Sequence, residues 1–250
     1  MININERLEN ERRHGVYLAK SPEAIWGHAS LAGRLRVDRR IDLFAKLAEL
    51  KPGKRVCEIG CGTGLFTQAL LEKTGAEIVG VDISPDLLRM AREKVSDPRA
   101  TFLLGDCMEP KSLGVPLDFD AVVTNSVLHH LELSKALPAI LLMLKPGGVF
   151  VCSEPNMLNP QIAIQKNIPF IKRWAGDSPD ETAFFKRKLA KDMQKAGFVE
   201  VDIKSFDFLH PKLPDKLARV ADKAFRFFES IPVIKEIAGS LIIAGKKPLI

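Results

Sequence analysis

Three glycines in the segment VCEIGCGTG, residues 56–64, stand between an apolar run and a helical pattern. At Gly60, Gly62 and Gly64 the backbone can turn tightly and a bound ligand can approach it closely. A dinucleotide-binding fingerprint needs its third glycine at position 65, where this chain has Leu65. The spacing therefore favours a nucleotide-like cofactor other than NAD or FAD, with a bare strand-to-helix turn as the structural alternative.

An acidic residue, Glu58, lies at the end of the apolar run that precedes these glycines. A pyrophosphate at the N-terminus of the following helix is disfavoured by a negative neighbour, whereas a ligand that carries an ammonium and a sulfonium group is favoured by it. The charge at this position therefore indicates S-adenosylmethionine as the cofactor.

Carboxylates also follow the next two apolar runs. Asp82 ends EIVGVD, twenty-two residues after Gly60, where a carboxylate can accept hydrogen bonds from both ribose hydroxyls at the switch point of a parallel sheet. Asp106, in GDCME, is placed to meet the adenine amino group, and surface turn chemistry is the alternative for it. One acidic side chain at each of three neighbouring strand ends predicts a ligand crevice.

Alternating helix and strand patterns must position these residues. The predicted helices include LFTQALLEKTG, SPDLLRMAREKV with Ser84 as N-cap, and LSKALPAILLML. The predicted strands between them are RVCEIG, EIVGVD, ATFLLGD, FDAVVTN and GGVFVCSEP. Apolar strands separated by helices predict an α/β fold with a parallel sheet covered on both faces.

The chain is expected to have three parts. Residues 1–50 form a helical leader or lid that contains the helical pattern RRIDLFAKLAEL, and residues 51–156 form the cofactor-binding core. Residues 157–250 complete the sheet and carry inserted cap helices. In this last part we expect an irregular segment with short helices, then a helix, strand, helix and strand at ETAFFKRKLAKDMQKAG, FVEVDIKSFDF, DKLARVADKAFRFFES and SLIIAGKKP.

The motifs EIGCGTG, VDIS, GDCM, DAVVTNSVLHHL and LKPGG follow one another between residues 53 and 156. In this order and spacing the chain resembles the class I S-adenosylmethionine-dependent methyltransferases, in particular the small-molecule branch (methyltransferase type 11) that includes quinone and sterol methylating enzymes. The resemblance implies a doubly wound, Rossmann-like sheet of seven strands in the order 3-2-1-4-5-7-6. Its last strand, Ser240 to Lys246, is expected to run antiparallel.

The same resemblance implies roles for the residues around the glycine turn. The methionine moiety would lie along the turn, with its ammonium received by Glu58 and by the backbone near Asn125. Asp82 would hold the ribose, while Ile83 and Cys107 would contact the adenine beside Asp106. The implied cofactor-binding residues are Glu58, Gly60, Gly62, Gly64, Asp82, Ile83, Asp106, Cys107 and Asn125.

Methyl transfer from a sulfonium needs little acid–base help, because alignment of donor and acceptor alone supplies ~7–11 kcal/mol. For a hydroxyl acceptor, a general base adds ~10²–10⁴ in rate, and the candidates are His28, His130, Glu154 and His210. Glu154, in SEPN after the fifth strand, is expected to face the substrate. His129 and His130 follow the fourth strand, and a helix-capping or packing role is the alternative for both.

The leader contributes candidate lid residues. Tyr17, Trp26 and His28 are expected to fold over the cofactor, as the N-terminal lid of the family does. A surface tryptophan in a helix interface is an equally good interpretation of Trp26. With His210 these residues form the predicted substrate and lid group.

Composition excludes several classes of protein. The four cysteines, at 57, 61, 107 and 152, form no CxxC pair, so neither a metal site nor a disulfide framework is expected, and a reducing, cytoplasmic environment suits them. No secretory signal is expected at the N-terminus, and no run approaches the ~20 apolar residues of a membrane span. The net charge of +6 arises in residues 157–250, because residues 1–156 carry 20 basic and 20 acidic residues.

The apolar and basic C-terminal part leaves two interpretations open. The helix at residues 215–230 has an apolar stripe that includes Leu217, Val220 and Phe228, opposed by lysines and arginines. The stripe packs as a cover over the active site, or it contacts a membrane or a lipid-linked acceptor from the periphery. The oligomeric state is not predicted by any pattern in the chain.

Three functions follow from these patterns. The first is transfer of a methyl group to O, C or N of a small acceptor that is hydrophobic or linked to a lipid or glycan. The second is methylation of nucleic acid, motivated by the basic C-terminal part, although the chain has TNSV at residues 124–127 in place of the motif of amino-methylating enzymes. The third is a cofactor-binding protein without catalysis.

Overall fold

The computed structural model describes residues 15–16, 21–22, 26–174 and 181–249. Its sheet is built from β1 (Arg55–Ile59), β2 (Glu77–Asp82), β3 (Ala100–Leu104), β4 (Phe119–Asn125), β5 (Leu144–Pro155), β6 (Val199–Phe206) and β7 (Ser240–Lys246). The strands lie in the order β3-β2-β1-β4-β5-β7-β6. β1 to β5 pair in parallel, and β7 is antiparallel to both of its neighbours. The predicted fold class and strand order are confirmed.

Helices cover the sheet on both faces. In the described part of the chain they are α1 (Leu31–Leu47), α2 (Leu65–Thr74), α3 (Pro85–Lys94), α4 (Leu133–Met143), α5 (Pro160–Asn167), α6 (Pro169–Trp174), α7 (Lys186–Ala196), α8 (Asp215–Glu229) and α9 (Pro232–Lys235). Ser84 caps α3, since its side chain accepts a hydrogen bond from the Leu87 amide, and Pro85 follows at the first helical position. Gly75 and Gly197 end α2 and α7 in the left-handed conformation.

Two predicted helices begin at other residues than expected. α1 starts at Leu31, ahead of the predicted RRIDLFAKLAEL, because Ser30 supplies the N-cap by accepting a hydrogen bond from the Gly33 amide. α7 starts only at Lys186, because the residues before it pair with the end of β5: the Phe184 amide donates to the Pro155 carbonyl over 3.0 Å. This long-range pairing has no signature in the local periodicity.

Alternate side chains of each central strand point into different cores. Cys57, Val122 and Cys152 belong to a cluster with residues of α4 and α7. Their chain neighbours Val56 and Val123 belong to a second cluster with residues of α1, α2 and α3. Strands that are buried on both faces read as continuous apolar runs, which explains why the sequence pattern predicted them well.

The strand register brings the carboxyl ends of the parallel strands level with one another. Ile59 of β1 pairs with Val81 of β2 and with Thr124 of β4. Asp82 pairs with Leu104 at the end of β3. The residues that follow these positions therefore meet at one edge of the sheet, which is where parallel α/β sheets bind ligands. Within the described residues, every helix is too short or too polar to cross a bilayer.

Candidate functional site

A cavity of about 400 Å³ opens at the carboxyl ends of β1, β2, β3 and β4. Its size falls within the range of small-molecule and cofactor pockets. All the residues to which the sequence assigned cofactor contacts, apart from Gly64, line it: Glu58, Gly60, Gly62, Asp82, Ile83, Asp106, Cys107 and Asn125. The structure thus brings together in space the side chains that the chain order distributes over four strands.

The glycine turn is shaped by backbone conformations that other residues adopt poorly. Gly60, Gly62 and Gly64 have φ angles of 68°, 53° and 76°. A Cβ at Gly60 would lie 2.3 Å from Cγ2 of Val127, so the turn also approaches the segment after β4 closely. Gly64 stands at the start of α2, where it supports the turn from outside the cavity.

Asp82 is held in a fixed orientation at the end of β2. Its Oδ2 accepts a hydrogen bond from the Gly62 amide and its Oδ1 one from the Ser84 amide, each over 2.9 Å. A carboxylate has about four acceptor positions, and Asp82 also lines the cavity. The side chain is therefore oriented to accept hydrogen bonds from hydroxyl groups of a ligand.

Glu58 lies at the base of the cavity and is 4 % exposed. The pKa of its carboxyl is raised from 4.5 to about 8: burial is the largest cause, the hydrogen bond from the Thr67 hydroxyl opposes it, and the nearby Asp82 carboxylate adds to it. A buried acid that gains a proton at neutral pH is poised to ionise when a cationic group arrives beside it. The electrostatics at this position thus suit an ammonium ligand.

Asp106 combines both roles that the sequence left open. Its Oδ1 accepts a hydrogen bond from the Met108 amide over 2.9 Å, which is an Asx-type turn contact. The residue also lines the cavity with its neighbours Gly105 and Cys107. The turn therefore fixes the carboxylate where the end of β3 meets the cavity.

Polar atoms without protein partners also mark this cavity. In the described part of the chain, Thr63 Oγ1 and Asn125 Oδ1 are buried and accept or donate no hydrogen bond. Unsatisfied buried polar groups are rare in folded proteins and commonly await a ligand. Ser126, next to Asn125, has a φ of 55°, a strained conformation for a serine at a functional edge. Thr63 carries no motif signal beyond its place in the glycine turn.

Together these observations test whether S-adenosylmethionine fits the site. The glycine turn leaves space that larger side chains would occupy. The carboxylate of Glu58 can bind an ammonium group, and that of Asp82 can accept hydrogen bonds from a ribose. The partnerless oxygen of Asn125 can accept a further hydrogen bond from the ammonium. The donors and acceptors around the cavity therefore fit this cofactor.

Glu154 corrects one expectation, because it does not line the cavity and does not face a substrate. Its Oε1 accepts hydrogen bonds from the amides of Val127 and Leu128, over 3.1 and 2.8 Å. Its Oε2 lies 2.6 Å from Nδ1 of His129. Both carboxylate oxygens are thus used to order the segment after β4.

His129 and His130 both line the cavity, with ring centroids 4.2 Å apart. Because Nδ1 of His129 meets the Glu154 carboxylate, its Nε2 is the nitrogen that can accept a proton from a ligand. Such a carboxylate–imidazole pair is the arrangement that orients a general base. The sequence analysis named His130 and not His129 among the candidate bases, and it missed the contact between Glu154 and His129.

Glu181 lines the cavity together with His129 and His130, and the sequence analysis did not predict it. Its Oε1 lies 3.8 Å from Nε2 of His130, and its Oε2 lies 2.7 Å from Nζ of Lys166. Ligand atoms of His129, His130 and Glu181 fall within 4.8 Å of one another, a spacing that a metal ion could bridge. The Lys166 ammonium already neutralises that carboxylate, and we assign no metal ion to the group. Fifty residues separate Glu181 from the histidines, so no local motif could have signalled it.

The structure gives three different results for the residues predicted to form the lid and substrate group. Trp26 and His28 line the cavity, and the Trp26 ring would lie 3.0 Å from a Cβ at Gly62. Tyr17 lies outside the described residues. His210 is exposed and stands apart from the cavity, where its Nδ1 accepts a hydrogen bond from the Lys212 amide. The expectation for His210 is therefore corrected: the turn after β6 directs it to the surface.

α1 adds two cationic side chains that the motifs did not reveal. Arg36 and Arg40 line the cavity and contact the Asp207 carboxylate at 2.8 and 2.7 Å. Burial tends to raise the pKa of Asp207, but the two guanidinium groups outweigh it and hold that pKa at about 2. The ion pairs anchor α1 to the residue after β6 and so fix one wall of the cavity.

Comparison with known proteins identifies the core. Residues 56–148 match the family model of a methyltransferase domain. The chain is 27% identical over 165 residues to phosphoethanolamine N-methyltransferase 3 of Arabidopsis thaliana, with 63% of this chain and 31% of that protein covered. It is 32% identical over 120 residues to a ubiquinone biosynthesis O-methyltransferase of Xanthomonas campestris, with 47% and 49% covered. The chain thus spans 31% and 49% of the length of these two curated relatives.

A solved structure extends the likeness to the whole fold. Phosphoethanolamine N-methyltransferase 2 of Haemonchus contortus, in complex with phosphomonomethylethanolamine and S-adenosylhomocysteine, superposes with a TM-score of 0.68 at 17% identity. The superposition covers 99% of this chain and 61% of that one. At this identity it shows the fold alone. The resemblance predicted from the five motifs is confirmed by the family model and by these relatives.

Proposed function

We propose that this chain, whose residues 56–148 form a class I methyltransferase domain, transfers a methyl group from S-adenosylmethionine to a small-molecule acceptor. The observation that carries the proposal is the cavity itself. Its glycine turn, the oriented Asp82 and the protonatable Glu58 match the three chemically distinct parts of that cofactor. The relatives named above act on nitrogen or oxygen of small molecules, which supports the same class of acceptor here.

Each part of the cofactor has a proposed partner in the cavity. Glu58 and Asn125 would receive the ammonium of the methionine moiety, and the amides of the glycine turn would lie along its chain. Asp82 would accept hydrogen bonds from the ribose hydroxyls, and charge-assisted bonds of this type are worth ~1.5–3 kcal/mol. Ile83 would pack on the adenine, whose polar edge would meet Asp106 and the Cys107 amide.

When bound, the cofactor supplies a methyl group that its sulfonium already activates for displacement. The protein's own contribution is then mainly alignment of the acceptor with the donor. Trp26 and His28 cover the glycine turn and limit the access of water to it. The ion pairs of Arg36 and Arg40 with Asp207 hold the wall formed by α1.

His129 is proposed to accept the proton when the acceptor is a hydroxyl group. The Glu154 carboxylate fixes the ring through Nδ1 and would stabilise the imidazolium that forms. Glu154 is therefore a positioning residue, and His130 is proposed to contact the acceptor beside it. We expect Glu154→Gln to lower kcat while the KM for the cofactor stays unchanged, whereas a merely structural defect would change both.

The basic residues of the C-terminal part gave the alternative of a nucleic-acid methyltransferase. Among the described residues, α7 carries five basic and one acidic side chain, whereas α8 carries four basic and three acidic ones. No observation favours the nucleic-acid alternative over a small acceptor.

Isothermal titration with S-adenosylmethionine, S-adenosylhomocysteine and NAD tests the proposal at its first step. We expect micromolar binding of the first two and none of NAD. Binding of NAD alone would contradict the cofactor assignment.

Transfer of labelled methyl groups to a panel of phenols, quinols, amines and lipid-linked sugars then tests the reaction. Product from any of them supports catalysis and identifies the acceptor atom. Tight cofactor binding without turnover on the whole panel would favour a non-catalytic cofactor-binding protein.

A further inference from the structure

The helix α8 exposes apolar side chains that a helix of a soluble core would bury. Val220 is 69 % exposed, Phe227 66 % and Leu217 55 %, and Ala218 is its one buried residue in the described structure. Only the side of α8 that carries Ala218, Ala221 and Phe225 packs against the protein, on Leu31 and Leu35 of α1. Leu217, Val220 and Phe228 of the predicted stripe are therefore not packed as a cover, and the side of α8 that packs does so against α1.

The helical geometry shows how wide the uncovered arc is. At about 100° per residue, Ala218 and Phe225 point to one side of α8, while Leu217, Val220 and Phe227 point to a neighbouring arc. Lys216, Arg219 and Lys223 occupy the arc on the far side of these exposed apolar residues. α8 thus presents, in order around its axis, a packed side, an exposed apolar side and a basic side.

The exposed apolar surface continues beyond α8. Val233 and Ile234 of α9, which follows directly, are 82 % and 36 % exposed. Ile237 is also exposed, and its carbonyl accepts a hydrogen bond from Asn159, the N-cap of α5. We call the surface made by Leu217, Val220, Phe227, Phe228, Val233 and Ile234 the cap face.

The basic border of the cap face is free to meet an external anion. Arg226 is paired with Asp222. In the portion of the chain that the structure describes, Lys216, Arg219 and Lys223 lie beyond salt-bridge distance of any carboxylate. Cations beside exposed phenylalanines match the headgroup and acyl boundary of an anionic bilayer, where both kinds of side chain gain favourable contacts.

We propose that the cap face docks onto the surface of an anionic phospholipid bilayer, with α8 lying parallel to the membrane plane. Val220 and Phe227 enter the acyl boundary, and Lys216, Arg219 and Lys223 contact the phosphates. A bilayer accounts for the basic border and the apolar arc together, whereas a second copy of this chain would bring like charges together.

The cap face is connected to the cavity through α1. Nη1 and Nη2 of Arg39 both donate hydrogen bonds to the Glu229 carboxylate at the end of α8, and Arg36 and Arg40 on the same helix line the cavity. Docking would therefore hold the methyl-transfer site beside the membrane. The docking surface itself does not depend on the proposed function, because none of its residues lines the cavity.

Vesicle co-sedimentation of the full chain tests the proposal. We expect sedimentation with phosphatidylglycerol-containing vesicles, weaker sedimentation with phosphatidylcholine alone, and release by salt. The double variant Val220→Glu, Phe227→Glu should weaken the partition constant more than tenfold, and each of K216Q, R219Q and K223Q by about fivefold. Leu142→Glu, which changes an exposed leucine on α4, is the matched control and should bind as the parent does.

Several results would overturn the proposal. One is equal binding by the parent and the double variant, where an unchanged melting temperature and unchanged S-adenosylhomocysteine binding show that the variant is folded. A second is a dimer of the parent that the double variant converts to a monomer in sedimentation velocity, which would make the cap face a self-interface. A third is salt-sensitive binding of an RNA oligonucleotide that prevents the chain from sedimenting with vesicles. Lipid docking without any methyl transfer would leave this proposal standing and count against the proposed function.

Discussion

The glycine turn and the cap face differ in burial: the turn is packed inside the protein, whereas the cap face is exposed. Around residues 58–64 most side chains are buried, and the amides of Gly60, Cys61 and Gly62 donate hydrogen bonds to Val81 or Asp82 at the end of β2. On α8 and α9 most side chains are exposed, and the few that pack do so against α1, far away in the chain. The first region is arranged before any ligand arrives, whereas the second offers a surface whose partner lies outside the molecule.

This difference separates two ways in which a fold supports function. Binding at a preorganised turn needs little ordering of the protein, so a small ligand can be held by few contacts. An amphipathic surface gains its free energy only when apolar area leaves water, and it tolerates variation in each single residue. Substitutions in the turn should therefore have large effects on folding and binding, and substitutions in the cap face small effects on folding.

Gly60→Ala is expected to have the largest effect. The new Cβ would lie 2.3 Å from Val127 at a φ of 68°, so both a clash and a strained backbone oppose it. We expect a loss of about 3 kcal/mol in the free energy of unfolding, measured by urea denaturation. Gly53→Ala is the control, because Gly53 has a φ of 83° and open space around it, and it should cost only about 1 kcal/mol. Equal costs would show that the contact with Val127 is not tight in solution.

His129→Gln should rank second, through catalysis. With a hydroxyl acceptor and saturating cofactor, we expect kcat to fall about 10²-fold because the oriented proton acceptor is lost. The dissociation constant for S-adenosylhomocysteine should stay the same. His210→Gln changes an exposed histidine outside the cavity, and its kcat should remain within about twofold of the parent. A fall in kcat for His210→Gln and none for His129→Gln would reverse the assignment.

The same contrast explains what the sequence could predict. The bounds of β2 and β4, the Ser84 cap and the carboxylates at 82 and 106 follow from local patterns, because strand burial, capping and turn chemistry act over a few residues. The strand order 3-2-1-4-5-7-6 came from the family resemblance, since no local pattern encodes which strands pair. The residues that line the cavity at the strand ends were therefore predictable before any coordinates, and their roles toward the cofactor stay predictions.

Other site residues depend on contacts that span large parts of the chain. Glu154 lies in a strand-end motif, and only the fold shows that it does not line the cavity itself and instead contacts His129, which does. Glu181 and Arg36 reach the cavity from distant segments through ion pairs with Lys166 and Asp207. Such pairs are set by tertiary packing, and neither periodicity nor spacing records them.

Asp82→Ala is expected to weaken S-adenosylmethionine binding about 30-fold, or ~2 kcal/mol, because the ribose would lose its charged acceptor. The amides of Gly62 and Ser84 would lose their partner as well, so Asp82→Asn, which keeps an acceptor oxygen, should fall between parent and alanine. Calorimetric titration measures the three constants. Asp86→Asn at the start of α3 is the control for the loss of one nearby charge, and it should not change affinity.

Glu58→Gln should reveal the cost of burying an acid at the base of the cavity. The native pKa of about 8 lies above the ordinary 4.5, so the native state retains a proton that the unfolded chain loses between these values. Stability due to this group therefore declines as pH rises from 4.5 to 8. We expect the variant to be more stable than the parent by ~2 kcal/mol at pH 6 and equal to it below pH 4, by urea unfolding. A difference that does not vary with pH would refute the assignment.

The smallest effect is expected on the cap face, and it tests whether that face is uncovered in solution. Phe227 is 66 % exposed, so Phe227→Ala should change the free energy of unfolding by less than about 0.5 kcal/mol. Phe225, two residues earlier on the same helix, packs in the small cluster on α1 with its ring 6.3 Å from that of Phe208. Phe225→Ala should therefore cost about 2 kcal/mol, below the range for fully buried phenylalanines because the ring is only partly covered. If both variants lost the same stability, Phe227 would be covered by protein and the contrast with the glycine turn would fail. If only Phe225→Ala is destabilised, the exposed arc of α8 serves contact with a partner rather than the stability of the fold.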